Sequence, residues 1–248
     1  MEWSDEAIVL NVRAHGESSG ILDALTRAHG RHSGLVRGGS SSKGRAVLQP
    51  GNRVKLTWRA RLSENLGVFT VELMQARAGD MFEQHAALIG LNALAAVSAA
   101  ALPEREPHQA AFESADALLN AMAAHSFDDW APLFVRWEVG LLNELGFGLD
   151  LARCASTGSS EDLIYVSPRS GRAVSRSAGE PYRDRLLRLP AFLLGRQAGD
   201  AKPADLLAGF ELTAHFLQQW VLAPHDKRMP DARRRLTELA ARARPESA

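Results

Sequence analysis

The chain has 248 residues, 46% of them hydrophobic, and its 29 lysines and arginines balance 29 aspartates and glutamates. This length fits one large domain or two smaller ones, with enough apolar residues for a sizeable core. A single cysteine, Cys154, excludes an intrachain disulfide and a four-cysteine zinc site.

The N-terminal sequence is acidic and lacks the apolar core of a signal peptide, so we expect no export. The most apolar run, residues 86–102, is interrupted by Asn92 and Ser98 and is short for a membrane span. We therefore expect a cytoplasmic protein that makes no membrane contact.

The first eighty residues are predicted to form five short strands with no long helix. Apolar and polar residues alternate in segments bounded by turn-forming residues. The predicted strands are residues 5–13, 21–28, 33–37, 53–61 and 68–76. Residues 38–44, rich in glycine and serine, are predicted to be a flexible loop. The pattern favours a small antiparallel barrel, either an OB-fold or an SH3-like barrel.

The fourth predicted strand separates apolar from basic side chains. Val54, Leu56 and Trp58 fall on one face and are predicted to be core. The opposite face carries Arg53, Lys55, Thr57, Arg59 and Arg61. Like charges on one face repel each other, and an anionic partner would relieve that repulsion. A solvated edge strand protected by its charges is the alternative.

Residues 27–61 carry nine basic residues and no acidic one, which is typical of a surface that faces a polyanion. Residues 81–152 carry ten acids against two bases, so they account for the neutral total. We expect these acids to lie on solvated helix faces. The candidate DNA contacts are Arg31, Arg37, Lys43, Arg45, Arg53, Lys55, Arg59 and Arg61.

From residue 82 the apolar period changes to that of α-helices. Helices are predicted at residues 82–101, 109–124, 128–145, 204–222 and 230–243, with a β-hairpin of strands 163–166 and 172–174 between the third and fourth. The predicted class is therefore α+β: a five-stranded barrel at residues 1–79, then a mainly helical domain at residues 80–248.

No catalytic constellation is recognisable in the sequence. Ser40 and Lys43 have S-x-x-K spacing but lie in a glycine-flanked loop, and the glycine and lysine order there does not match a phosphate-binding loop. His29 and His32 have no further metal-ligating cluster near them in sequence. This favours a binding protein. An adaptor that binds no DNA, or a metal-dependent nuclease with a dispersed site, stays open.

Six stretches, collinear over nearly the whole chain, resemble the RecO family of bacterial DNA repair and recombination mediators in its alphaproteobacterial form. They are WSDEAIVLNV (3–12), HGRHSGLVRGG (29–39), LQPG (48–51), WRARL (58–62), LGFGLDL (145–151) and YVSPRSGRAVS (165–175). The resemblance implies an N-terminal OB-fold, a helical domain, and no enzymatic turnover or cofactor. It also implies binding of single- and double-stranded DNA and annealing of complementary strands.

The same resemblance implies protein partners: RecR and the single-stranded-DNA-binding protein SSB, with which the recombinase RecA is loaded at gaps. We expect a monomer when the protein is alone, associated with the nucleoid. The C-terminal helices could receive the acidic, hydrophobic-ended SSB tail; a core helix followed by a solvated basic segment, running to Arg244, is the alternative. Candidate contacts are Phe216, Trp220, Lys227, Arg228, Arg233 and Arg234.

The chain departs from the pattern of many relatives that carry a four-cysteine zinc module at the hairpin, here residues 153–179. Cys154 stands at the first ligand position, but Thr157 occupies its partner position and residues 174–178 contain no cysteine. We therefore expect no zinc, a hairpin held by packing, and Cys154 as a small buried residue.

Overall fold

The computed structural model describes residues 1–195 and 202–242. The chain divides into two compact units, Met1–Ala124 and His125–Ala248. The barrel and the helices that follow it to residue 124 belong to the first unit. In the part of the chain that the structure describes, no helix has the length and apolarity needed to cross a membrane.

Five strands of the first unit close into a barrel. They are β1 (Glu2–His15), β2 (Ser19–Thr26), β3 (Gly30–Val36), β4 (Arg53–Arg59) and β5 (Val68–Gln75). Their order around the barrel is β1-β2-β3-β5-β4, and every pair is antiparallel except β3 with β5. The parallel pair is short, joining Leu35 to Val68 and Val36 to Phe69. This closure confirms the predicted OB-fold and the α+β class.

The interior of the barrel follows the alternation of the strands. Val54, Leu56 and Trp58 of β4 are at most 2% exposed, which confirms the predicted core face. Gly34 of β3 leaves room for the Phe69 ring, because a Cβ atom there would lie 2.4 Å from it. The edge-strand alternative for β4 is wrong, since barrel closure pairs β4 with both β1 and β5.

The predicted loop at residues 38–44 is partly helical, and this prediction was wrong. A short helix, α1 (Ser42–Val47), begins there, and Ser41 caps it by accepting a hydrogen bond from the backbone N–H of Gly44 at 3.0 Å. Gly44 packs so tightly that a Cβ atom would lie 2.4 Å from the carbonyl oxygen of Gly38. Gly44 therefore lets the helix pack closely against the residues that precede it, and it does not make the segment flexible.

Three helices complete the first unit: α2 (Arg77–Met81), α3 (His85–Ala101) and α4 (Gln109–Ala124). Helix α4 matches its predicted bounds, whereas the helix predicted at residues 82–101 begins three residues later and is preceded by α2. The pattern missed α2 because it is one turn long and carries an arginine, Arg77, that is fully buried.

The second unit combines helices with a small sheet. Its helices are α5 (Phe127–Glu144), α6 (Arg176–Gly179), α7 (Pro203–Phe216) and α8 (Asp231–Arg242). The sheet has the order β7-β6-β8, formed by β6 (Leu163–Val166), β7 (Ala173–Ser175) and β8 (Leu187–Arg188). The predicted hairpin is confirmed as β6 and β7, while the two-residue β8 was too short to predict.

Two helix ends differ from the predictions. The long helix predicted at residues 204–222 ends as an α-helix at Phe216 and continues as a π-helical segment, Leu217–Leu222. Asp128 and Asp129 were predicted to cap helix α5. The N-cap residue is instead Ser126, which forms a capping box with Asp129. The last predicted helix is described to Arg242; its end at residue 243, and Arg244, lie outside the described residues.

Candidate nucleic-acid interface

The basic face of β4 lies between acidic neighbours. On β1, Glu2 is opposite Arg59 and Glu6 is opposite Lys55. On β5, Glu72 is opposite Lys55 as well. Cross-strand pairs of opposite charge stabilise a sheet, so the repulsion along β4 is relieved within the first unit. A basic strand therefore does not by itself create a cationic surface here.

Arg53 is committed to an internal ion-pair network. It bonds the carboxylate of Glu6, and its Nη1 donates to Oδ2 of Asp116 on α4 at 3.0 Å. The hydrogen bond to Glu6 raises the pKa of Arg53 above its ordinary value. The other oxygen of Asp116 accepts a 2.7 Å hydrogen bond from buried Arg77. Arg53 thus holds the barrel to α4 and is not free for phosphate.

Arg31 is also turned to internal partners. Its Nη1 donates to Oδ2 of Asp23 at 2.9 Å, and its Nε donates to the carbonyl oxygen of Leu102 at 3.0 Å. Burial raises the pKa of Asp23, although the charge of Arg31 opposes that shift. With its side chain 14% exposed, Arg31 ties β3 to the end of α3.

The expectation that the acids of residues 81–152 lie on solvated helix faces was wrong for Asp116 and Glu138. Asp116 joins the Arg53 network with its side chain 15% exposed, whereas Glu113 on α4 is exposed, as expected, and pairs with Arg27 at 3.1 Å. Glu138 on α5 is fully buried. These acids are far from their basic partners in sequence, and only the fold brings the opposite charges together.

Five of the predicted DNA contacts are exposed and form no ion pair within residues 1–195 and 202–242. They are Arg37, Lys43, Arg45, Lys55 and Arg61. A sixth, Arg59, is exposed and donates to Oε1 of Glu2 at 2.8 Å, which raises the pKa of Arg59 and lowers that of Glu2. Of the eight predicted DNA contacts, five are therefore exposed without an ion pair among the described residues, Arg59 is exposed but paired, and Arg31 and Arg53 bond internal partners.

A groove of about 700 Å³ brings three predicted cations together, between α1, the end of β3 and the start of β5. Arg37, Lys43 and Arg59 line it, and Phe69 and Val71 belong to its apolar floor. No Asp or Glu is among the described residues that line it. A cationic rim over an apolar floor can hold phosphates and cover the face of an unstacked base. Lys55 and Arg61 do not line this groove.

His29 and His32 do not form a metal site. His29 stacks on Trp3 at 4.0 Å between ring centroids, and its Nδ1 lies 3.0 Å from Oδ2 of Asp5. His32 is 4% exposed and packs edge-on against Trp58. Burial, with the nearby charge of Arg105, lowers the pKa of His32 to about 4. His32 is therefore a neutral core residue at neutral pH.

The structure places two of the six predicted partner contacts, Phe216 and Arg233, in the core of the second unit. Arg233 donates from Nε to Oε1 of Glu138 at 2.6 Å and from Nη2 to Oε2 at 2.8 Å. Its guanidinium lies 4.8 Å from the ring centroid of Phe210. Arg233 is therefore a structural residue and not a surface contact.

The other candidates in the second unit are at or near the surface. Lys227 and Arg228 are exposed, and Arg234 is exposed and bonds Asp231. Trp220 is half-buried, with its ring 6.3 Å from that of Phe147, which is 39% exposed. Sequence reasoning missed Phe147 as a candidate. An aromatic residue between two glycines, as in LGFGLDL, is the signal that could have found it.

Cys154 is 1% exposed and sits beside β7. Its Sγ accepts hydrogen bonds from the backbone N–H of Ser175 at 3.2 Å and from Oγ of the same residue at 3.4 Å. Burial raises the pKa of the thiol, but hydrogen bonds from Ser175 and Thr157 outweigh that effect and lower it to about 6. Among the described residues, no three His, Cys, Asp or Glu side chains are placed to hold a metal ion.

The fold defines the class of the protein: an OB-fold barrel with a cation-rimmed groove, followed in the same chain by a mainly helical unit. Two family models match the sequence, "Recombination protein O N terminal" over residues 1–77 and "Recombination protein O C terminal" over residues 83–229. The chain therefore belongs to the Recombination protein O (RecO) family, which confirms the resemblance seen in the sequence.

Curated relatives agree with this assignment over almost their whole length. A protein of Rhodospirillum centenum is 50% identical over 96% of this chain and 94% of its own. One of Caulobacter vibrioides is 48% identical over 98% and 99%, respectively. One of Phenylobacterium zucineum is 51% identical over 94% and 95%. All three are named DNA repair protein RecO.

Proposed function

We propose that this chain is a non-enzymatic DNA repair and recombination mediator, which binds single- and double-stranded DNA and anneals complementary strands. Membership of the RecO family supports the repair role, since its relatives are named DNA repair proteins. One observation carries the DNA-binding part: the groove beside α1 has a rim of Arg37, Lys43 and Arg59 and no carboxylate among its described lining residues.

In this proposal the phosphates of a DNA strand contact Arg37, Lys43 and Arg59, with Arg45 adjoining them on α1. An unstacked base covers the apolar floor. Sequence preference is slight, because phosphate contacts carry no base information. Annealing follows if neutralising the phosphates lowers the repulsion between two complementary strands. Arg31 and Arg53 are left out of the phosphate contacts, because their donors are bound internally and their side chains are 14% and 25% exposed, whereas the Arg59 side chain is 67% exposed despite its pair with Glu2.

The salt dependence of binding tests the proposal. If four phosphates of a single strand are neutralised, the logarithm of the association constant falls with the logarithm of the salt concentration at a slope of about −3. Affinity then drops about fiftyfold between 50 and 200 mM salt. Fluorescence anisotropy of a labelled oligonucleotide measures both quantities. An affinity that does not change with salt would contradict the phosphate contacts.

Two matched double variants locate the site. Arg37→Gln/Lys43→Gln removes two exposed cations that line the groove. Lys55→Gln/Arg61→Gln removes two exposed cations of the same unit that do not line it. We expect the first variant to reduce the salt slope by about 1.4, and the second to leave it unchanged. The reverse result would move the DNA site to the outer face of β4.

The proposal includes partners that the family resemblance implies: RecR, and SSB, with RecA loaded indirectly. We propose that the SSB tail, acidic and hydrophobic-ended, contacts Trp220 and Phe147 with its apolar end and Lys227 and Arg228 with its acids. The half-buried Trp220 beside exposed Phe147 supports this position. Titration of a labelled tail peptide tests it. Trp220→Ala should weaken binding about tenfold or more, and equal affinity would reject the assignment.

Two other classes of protein remain distinguishable by experiment. A nuclease would degrade DNA in the presence of Mg²⁺, and an adaptor would not bind DNA at all. Salt-dependent binding with the oligonucleotide recovered intact separates the proposed mediator from both. We also propose that the chain acts as a monomer in the cytoplasm, at the nucleoid, since that is where its proposed ligand lies.

A further inference from the structure

Arg105 lies between α3 and α4, and its guanidinium binds the loop that joins β4 to β5. Its Nη1 donates to the carbonyl oxygen of Ser63 at 2.7 Å. Its Nη2 donates to the carbonyl oxygens of Glu64 and Asn65, each at 3.1 Å. One cation thus satisfies three consecutive carbonyl groups of a surface loop. Because hydrogen bonds from a charged donor are the stronger ones, this contact holds the middle of the loop.

The backbone that carries Arg105 is itself fixed against β3. The N–H of Arg105 donates to the carbonyl oxygen of Arg31 at 2.7 Å, and Glu104 forms a parallel bridge with Arg31. Gly30 lets this segment approach, because a Cβ atom there would lie 1.9 Å from the carbonyl oxygen of Glu106. Arg105 has a φ of +64°, a left-handed conformation that residues other than glycine seldom adopt. Such a conformation persists where its surroundings hold it.

The same loop is attached to the barrel at its far end. Nε1 of Trp58 donates to the carbonyl oxygen of Leu66 at 3.0 Å. Gly67 has a φ of +68°, and a Cβ atom there would lie 2.2 Å from the Trp58 indole nitrogen. The loop, residues 60–67, joins Arg59 at the end of β4 to Val68 at the start of β5, and both of these residues line the cation-rimmed groove. The loop therefore adjoins one end of that groove.

We propose that Arg105 is a positioning residue for DNA binding, which clamps the loop at residues 60–67 and so holds Arg59 and Val68 in their places in the groove. This inference rests on the proposed function. Arg105 does not contact phosphate in this assignment, because its Nη atoms are bound to loop carbonyls. A preorganised groove loses less free energy to ordering when a strand binds, so the clamp raises affinity.

Three variants test the clamp. Arg105→Ala removes the guanidinium, and alanine meets a similar steric cost at the same φ. Arg105→Lys keeps the charge but can no longer spread it over three carbonyls. Arg13→Ala is the matched control, since it removes one exposed cation of the first unit from β1, away from the loop. Equal urea midpoints for the variants would show that each is folded to the same extent.

The first measurement is the rate of tryptic cleavage at the bond between Arg61 and Leu62, within the loop. We expect cleavage about tenfold faster in Arg105→Ala, because local opening of the loop no longer breaks three hydrogen bonds. Arg105→Lys should lie between that variant and the unmodified chain, and Arg13→Ala should match the unmodified chain. Cleavage of Arg105→Ala at the unmodified rate would overturn the clamp.

The second measurement is DNA affinity as a function of salt. We expect Arg105→Ala to bind a single strand about fivefold more weakly than Arg13→Ala, with an unchanged salt slope, because a positioning residue makes no phosphate contact. A slope reduced by about 0.7 would identify Arg105 as a phosphate contact instead. A loosened loop with unchanged affinity would also overturn the positioning role.

A failure of the proposed function would look different from a failure of the clamp. If the unmodified chain bound no DNA, the proposed function and the positioning role would both be wrong. The cleavage rates would still show whether Arg105 orders the loop. If the unmodified chain bound DNA and Arg105→Ala changed neither cleavage nor affinity, only the inference about Arg105 would fail.

Discussion

The buried pair of Arg233 and Glu138 gives the sharpest prediction for stability. Both side chains are 0% exposed, and two hydrogen bonds of 2.6 and 2.8 Å join them. Arg233 also donates to Oγ1 of Thr237 at 2.6 Å, and Thr213 donates to Oε2 of Glu138 at 2.5 Å. Glu138→Ala would therefore leave a guanidinium without its counter-ion in the core of the second unit.

We expect Glu138→Ala to lower the free energy of unfolding by about 3–5 kcal/mol, because an uncompensated charge stays buried. With an m-value of about 2 kcal/mol per molar urea, the midpoint falls by about 1.5–2.5 M. Urea denaturation followed by far-ultraviolet circular dichroism measures this shift. A loss that large would remove roughly a third to a half of the stability of a domain whose free energy of unfolding is about 10 kcal/mol.

The control is Glu138→Leu/Arg233→Met, which replaces both charges by apolar side chains of similar length. We expect its unfolding free energy to lie within about 1 kcal/mol of the unmodified chain, or above it, because neither charge has to be desolvated. Equal losses in the single and double variants would refute the argument. The folded double variant should also bind the tail peptide normally, since Arg233 is not at the surface.

Three further predictions concern groups in or beside the core. Asp116→Asn should lower the free energy of unfolding by about 2–4 kcal/mol, since Arg53 and buried Arg77 lose a shared carboxylate. Its DNA affinity, measured by anisotropy, should stay within about twofold of that of the unmodified chain. Weaker binding without lost stability would return Arg53 to the DNA site. Because the pKa of His32 is about 6.5 unfolded and lowered to about 4 folded, the unfolded state binds more protons between these values and stability falls as the pH drops through that window, by at most about 3 kcal/mol. His32→Phe should reduce this loss in urea midpoints measured at neutral and acid pH, and an identical pH dependence would contradict it. Ellman's reagent should modify Cys154 at least about a hundredfold more slowly in the native chain than in urea, because the thiol is 1% exposed; equal rates would exclude its shielding.

The buried position of Arg233 could have been predicted from the sequence. In α8, Arg233 shares a helix face with Leu236 and Ala240, which are both fully buried. That spacing predicts an inward position, and the cluster of arginines around it obscured the pattern. Arg234, the next residue in this cluster and also a predicted partner contact, is exposed.

The sequence by itself determined the local features of this protein: the alternation that builds the barrel, the inward face of β4 with Trp58, and the position of the hairpin. These depend on neighbours a few residues apart, so the chain order contains them. Family membership was also recognisable, because collinear stretches run over nearly the whole chain.

Only the tertiary structure decided which basic residues are free. The segment at residues 27–61 has no acid of its own, but barrel closure and α4 bring Glu6 and Asp116 to Arg53. Arg37 and Lys43 meet no such partner among the described residues and line the groove beside α1. Ion pairs join residues more than forty positions apart, and no local pattern encodes that pairing. The physical reason is that charge acts through space, whereas sequence patterns report only neighbours along the chain.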